Sequence, residues 1–267
     1  MLKDITLGQY FPGNTVVHRL DPRTKLVLTL VYIVALFLCK WFISYALMLS
    51  FLALAIILSK TKLKALIKGL KPLLIIIVFT ALINIFYSEG RVLVEWWIFM
   101  ITVEGLVNAF FLILRIMMLV MGTFLLTYTT SPIALTDGIE SLLSPLKKIR
   151  FPVHELAMMM SIALRFIPTL IEETDKIISA QKARGADFET GNIFRRAKAL
   201  IPILVPLFVS AFRRADELAT AMECRCYHGG KGRTKMKQLK MHRGDLFTFL
   251  IGLAVLGGVI TLRYFGL

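Results

Sequence analysis

The chain has 267 residues, 57% of them apolar, and a formal charge of +15. Soluble domains average about 45–50% apolar residues, and here the excess is gathered into long runs, so an ordinary soluble domain is excluded. The basic charge comes without a base-reading or aromatic stacking module, which argues against nucleic acid and for a charge bias across a membrane.

Met1 to Val17 reads as an ordered arm or surface segment. The first apolar run begins late and has no small-residue cleavage pattern, so no cleavable signal peptide is expected. Asp21 is placed to cap a helix that starts at Pro22. Five apolar segments read as membrane spans: Leu26–Cys39, Trp41–Leu58, Pro72–Tyr87, Leu106–Tyr128 and Leu246–Leu262. Several fall short of the roughly 20 residues that cross a bilayer core as helix. Lys25 and Lys40 flank the first and are expected to extend it by snorkelling. A short half-buried segment at Val92–Thr102 would be an addition to this count. Arg115 alone interrupts the fourth span.

Charge assigns the sides. Arg19, Arg23 and Lys25 precede the first span, and Lys60, Lys62, Lys64, Lys68 and Lys71 lie between the second and third. The loop from Ser88 to Glu104 is net acidic. The stretch 128–243 holds 19 basic and 11 acidic residues. The positive-inside rule then puts the N-terminus, the Lys60–Lys71 loop and the long stretch in the cytoplasm. Lys40 argues weakly the other way, and Arg263 falls outside. Trp96 and Trp97 fit an outer aromatic belt.

Leu142 to Pro152 reads as a linker or short helix. His154 fits a surface or capping role. A helical pattern follows from Glu155 to Ala183, with Leu156, Met160, Leu164, Ile167, Leu170 and Ile171 on one side. Met158, Met159 and Met160 add adaptable packing surface. Pro168 is expected to kink this helix or divide it. Arg165 should snorkel or pair with Glu155 or Glu172. Beyond Pro168 the helix turns polar. A second helix runs through Ile201–Phe212, with Pro202 and Pro206, then Arg213, Arg214, Asp216 and Glu217. Ala180 and Ala221 favour a close crossing of the two arms.

The ends of these helices repeat. Asp175, Ser179, Ala180 and Arg184 correspond to Asp216, Thr220, Ala221 and Arg225 at a constant spacing of 41. Each arginine sits in a last helical turn, where the dipole favours it. Its donor fork suits carboxylates or backbone carbonyls of another protein. A glycine, Gly185, follows the first arginine and can close the helix in a left-handed cap. Cys226 follows the second, so the sequence leaves open whether the two ends share one conformation. A membrane protein that builds one arginine-tipped end twice presents it to two similar partners.

Chemistry is sparse elsewhere. Cys224, Cys226 and His228 alternate along a helix end, point apart and lack a fourth ligand, so no metal is expected. The glycines after Tyr227 do not form a phosphate loop, and no strand precedes them. The spans show no polar cluster. Arg115, helped by Asn84 and Asn108, is the strongest start for the alternative reading, a self-contained permease with its own substrate path.

Leu20-Asp-Pro-Arg-Thr-Lys25, Ala183-Arg184-Gly185 and Glu223-Cys-Arg225-Cys-Tyr227, in this order among the spans, resemble the transmembrane subunit, EcfT, of energy-coupling factor transporters. The resemblance covers essentially the whole chain. It implies an all-α integral membrane protein with about five transmembrane helices and two long cytoplasmic coupling helices. The corresponding division is 1–24 as N-terminal arm, 25–128 as four spans, 129–243 as coupling region and 244–267 as last span. The resemblance further implies a non-enzymatic subunit that passes ATP-driven movement to a membrane subunit capturing a vitamin or micronutrient. Ala183, Arg184 and Gly185 would dock one ABC-type ATPase, and Cys224, Arg225 and Cys226 a second. The unequal flanks fit related, non-identical ATPases. Met158, Met159, Met160, Ile167 and Ile171 would contact the small substrate-binding S component, or else this protein's own helices. ATP and Mg would sit on the partners, with no cofactor on this chain. The expected location is a bacterial-type plasma membrane.

Overall fold

A computed structural model describes residues 10–87, 91–96, 99–186, 188, 192–229 and 238–266. The chain packs as two units, one of Gly8–Gly138 with Leu239–Leu267, the other built on Ile139–Gln238. The expectations for Met1–Gln9 and for the Trp96 and Trp97 side chains of the aromatic belt lie outside what the structure describes.

In the first unit, a short helix α1 (Val16–Arg19) leads to α2 (Pro22–Leu38) and α3 (Phe42–Ser59). Lys60 ends α3 in a left-handed conformation, φ 52°. The Lys60–Lys71 segment is more than a loop. It forms α4 (Leu63–Leu70), which a 3-10 turn at Lys71–Leu73 joins to α5 (Leu74–Tyr87). Leu66 and Leu70 of α4 are buried, while Lys64, Lys68 and Lys71 recur at i, i+4 and i+7 on one face. Val92–Thr102 forms an antiparallel hairpin of β1 (Val92–Trp96) and β2 (Phe99–Thr102). The unit then runs through α6 (Val103–Thr129) into α7 (Pro132–Leu142) and is completed by α10 (Arg243–Phe265).

Its core joins α2, α3, α6 and α10 through Tyr32, Leu36, Tyr45, Met48, Met118 and Val259. Gly122 of α6 lies against the Tyr32 ring, where a Cβ would collide. The Tyr32 hydroxyl donates to the Met118 carbonyl at 3.1 Å. Small residues of this kind let spanning helices approach, because lipid supplies no hydrophobic drive between them. Outward apolar side chains such as Ile57, Ile75 and Phe79 remain exposed, as a lipid-facing surface requires.

A polar knot fixes one end of this unit. Asp21 caps α2, its Oδ1 accepting from the Arg23 amide at 2.9 Å. The Asp21 amide donates to Asp245 Oδ1 at 2.7 Å, and the His242 amide to Asp245 Oδ2 at 2.7 Å. Asp245, 2% exposed, thereby starts α10 and ties it to α2. Lys25 does not snorkel. It is buried and donates to the carbonyls of Thr129 (2.9 Å) and His18 (3.2 Å) and to the Thr130 hydroxyl (3.3 Å). A buried ammonium needs such partners, and the open C-terminal ends of α1 and α6, with the Thr130 hydroxyl, supply them.

In the second unit, a 3-10 segment (Ser144–Ile149) precedes α8 (Val153–Ala183), and α9 (Ile193–Glu223) follows. By length and composition, α3, the Leu63–Phe86 run, α6, α8 and α10 could each cross a membrane. α2, at 17 residues, falls just short of them, and α8 qualifies through its apolar first half.

Candidate functional site: the arginine-tipped helix pair

α8 and α9 are each 31 residues long and continuous. Pro168 neither divides α8 nor ends it. Proline at 206 has no amide to donate to the Pro202 carbonyl one turn earlier. Gln181 of α8 supplies that donor, its Nε2 lying 3.3 Å from the Pro202 oxygen. Further along, Arg214 Nη2 of α9 forms an ion pair with Glu173 Oε2 of α8. Residue 173 meets 214 and residue 181 meets 202, so the helices run antiparallel. Their arginine-bearing ends therefore lie at opposite ends of the pair.

Glu173 and Arg214 are themselves 41 residues apart, the spacing of the sequence repeat. Each lies eleven residues before its arginine, or about 16 Å of helix rise. A position paired with its own repeat counterpart is where any twofold axis relating the two arms has to pass.

The two ends adopt one conformation. The Arg184 amide donates to the Gln181 carbonyl, Gly185 to Lys182 and Ala186 to Gln181, at 3.1, 3.0 and 3.0 Å. The Arg225 amide donates to Met222, Cys226 to Glu223 and Tyr227 to Met222, at 3.1, 2.8 and 3.1 Å. Every bond of the first set has its counterpart 41 residues on. Gly185 has φ +87° and Cys226 φ +54°, both left-handed. Cys226 thus takes a glycine conformation without being glycine. Both arginines are exposed, and neither side chain has a partner among the described residues. Ala183, Cys224 and Cys226 are exposed beside them, the cysteines as free thiols. No group of three His, Cys, Asp or Glu is placed to hold a metal among the described residues.

Of the apolar contact candidates, Met159 and Met160 are exposed, while Met158, Ile167 and Ile171 are half-buried. The sequence reading passed over a stronger surface on α9. Ile201, Leu204, Val205, Phe208 and Phe212 are all exposed, Phe212 at 70%. Their spacing of i, i+3, i+4, i+7 and i+11 was a readable sign of one face. His154 Nδ1 pairs with Glu140 Oε1 at 3.1 Å, a structural contact. Arg165 is exposed and pairs with neither Glu155 nor Glu172.

The first unit holds a polar cluster that joins Arg115, Asn84 and Asn108, singled out in the sequence, to three charged residues that were not. Arg115, Lys40, Arg263, Glu104, Asn84 and Asn108 line one cavity of about 920 Å³. Arg115 Nε donates to the Tyr45 hydroxyl at 2.9 Å and Nη2 to the Cys39 carbonyl at 3.0 Å. The polar residues come from separate segments, so no local pattern joins them.

A bundle of lipid-facing helices joined in one chain to a long antiparallel helix pair with matched polar ends is a membrane subunit built for assembly. Residues 13–236 match the profile of the CbiQ family, described as cobalt transport protein, and the chain belongs to that family. It is similar over nearly its whole length to energy-coupling factor transporter transmembrane proteins, EcfT. With that of Thermosediminibacter oceani it shares 56% identity over 97% of this chain and 98% of the relative. The Ruminiclostridium cellulolyticum protein is 53% identical over 99% of both chains, and that of Bacillus subtilis 48% identical over 97% and 98%. The chain is a multi-pass membrane subunit of a transporter of this kind.

Proposed function

We propose that the chain couples two cytoplasmic ABC-type ATPases to a small membrane S component, which captures a vitamin or micronutrient. Arg184, with Ala183 and Gly185, docks one ATPase. Arg225, with Cys224 and Cys226, docks the other. The observation that carries this reading is the matched left-handed ending of α8 and α9, with three backbone hydrogen bonds repeated 41 residues apart and, at each end, an arginine unpartnered among the described residues. Two related grooves on two related ATPases match two such ends. The apolar residues Met158, Met159, Met160, Ile167 and Ile171 on α8, of which Met159 and Met160 are exposed, and the α9 stripe serve as the S-component surface. ATP and Mg belong to the ATPases, whose turnover moves α8 and α9.

Charge supports a bacterial plasma-membrane topology with the N-terminus and both arginine ends in the cytoplasm. α8 is apolar enough to span. Were it to do so, Arg184 and the basic start of α9 would emerge on the outer face, against the positive-inside bias. We therefore place α8 at the inner interface.

The test is co-purification with the two ATPases from membranes expressing the whole transporter. Arg184→Ala and Arg225→Ala should each weaken retention of one ATPase, and the double variant should abolish ATPase retention and uptake while still inserting. Normal retention and uptake by the double variant would sink the docking roles.

A further inference from the structure

Three cations converge on the 920 Å³ cavity: Arg115, Lys40 and Arg263. One carboxylate, Glu104, shares the lining, and its Oε2 is engaged by the Arg91 amide at 2.7 Å. The lining elements are the end of α2, the start of α3, the end of α5, the first half of α6 and the end of α10. This is the end of the bundle remote from the start of α2, where the positive-inside bias depletes cations.

Arg115 is held in place. Its two hydrogen bonds tie it to Cys39 in the turn between α2 and α3 and to Tyr45 of α3, and its guanidinium carbon lies 5.8 Å from the Tyr45 ring centroid. The Tyr45 ring stacks on Phe111 at 5.0 Å. A guanidinium has five N–H donors, so three remain for a ligand. Lys40 and Arg263 are exposed and unpartnered among the described residues. Trp41 lines the same cavity, and tryptophan favours the headgroup level of a bilayer. A fixed donor fork, two exposed cations and an indole lining one cavity form a receptor for a tetrahedral oxyanion.

We propose that this cavity binds a phosphate group, carried by an anionic lipid headgroup or free in solution. Arg115 is the fixed donor, and Lys40 and Arg263 close over the ligand's charge. The site is separate from the arginine-tipped helix ends and stands or falls without them.

The test uses the purified full chain in neutral detergent, with native mass spectrometry to count bound ligand. Phosphatidylglycerol is one probe and inorganic phosphate the other. Arg115→Gln would also untie the α2–α3 turn, so the diagnostic variant is the exposed pair Lys40→Gln/Arg263→Gln. It should bind the effective probe about thirtyfold more weakly, since two cations are removed and each near a membrane surface contributes about 1 kcal/mol. Lys64→Gln/Lys68→Gln, at the other end of the bundle, should bind as wild type does. Binding of phosphatidylglycerol alone with this variant dependence identifies a lipid site. Binding of inorganic phosphate with the same dependence identifies a soluble-phosphate site. If Lys40→Gln/Arg263→Gln matches wild type with both probes, or if neither probe binds, the proposal is overturned.

Discussion

At the residue scale, Cys226 is the clearest departure from local preference. A left-handed residue other than glycine costs roughly 1–2 kcal/mol through its Cβ. At the first helix end Gly185 avoids that cost. Cys226→Gly should therefore slow amide hydrogen exchange at Cys226 and Tyr227, by about fivefold for 1 kcal/mol. Gly185→Ala should speed exchange at residues 185 and 186 by a similar factor. Unchanged exchange in both variants would mean that the left-handed caps do not hold these ends. The sequence showed the arginines and the missing glycine but could not decide the conformation. Hydrogen bonds from three consecutive amides hold it, and those are backbone bonds that do not use the side chain at 226.

At the element scale, the antiparallel pairing of α8 and α9 depends on few polar contacts. The Glu173–Arg214 pair is partly exposed, with side chains 22% and 27% accessible. An isolated pair of that kind contributes about 1 kcal/mol or less. Its leverage is geometric, because it sits midway between the two arginines. Glu173→Arg should place two like charges together, splay the helices and lower uptake, with each arginine end intact. The exchanged pair Glu173→Arg/Arg214→Glu should restore uptake. Uptake that is insensitive to Glu173→Arg would show that this contact does not set the spacing of the ends. The 41-residue repeat was legible in the sequence, but its pairing was not, since Glu173 and Arg214 read separately as ordinary solvent-side charges.

At the scale of the whole molecule, hydropathy found α3, α5, α6 and α10 because their runs are long and uniformly apolar. It missed α4 and α7, whose short amphipathic sequences resemble loops at the resolution of a span. Val92–Thr102 is a near-continuous apolar run broken by Glu95, a pattern that does not distinguish a half-buried segment from the hairpin it forms. The candidate anion cavity was legible only in part: Arg115, Asn84 and Asn108 stood out in the spans, but Lys40, Glu104 and Arg263 come from segments too far apart to be joined to them. Topology can be checked with the native thiols. Cys224 and Cys226 are exposed, and Cys39 is buried. A membrane-impermeant maleimide should label the native chain in inverted vesicles and leave it unlabelled in right-side-out vesicles. A Tyr264→Cys thiol, at a side chain 88% exposed, should label from the opposite side. Labelling of Cys224 and Cys226 from outside would reverse the assignment of the arginine ends.

The meeting of Glu173 with Arg214 has one more consequence. Two arms that descend from one pattern could be alike at every position save where a residue faces its own counterpart. There, sameness sets charge against like charge. The 173/214 position is thus obliged to differ between the arms, and substitutions at it have to arrive in compensating couples. It gives an otherwise matched device a fixed sense of left and right.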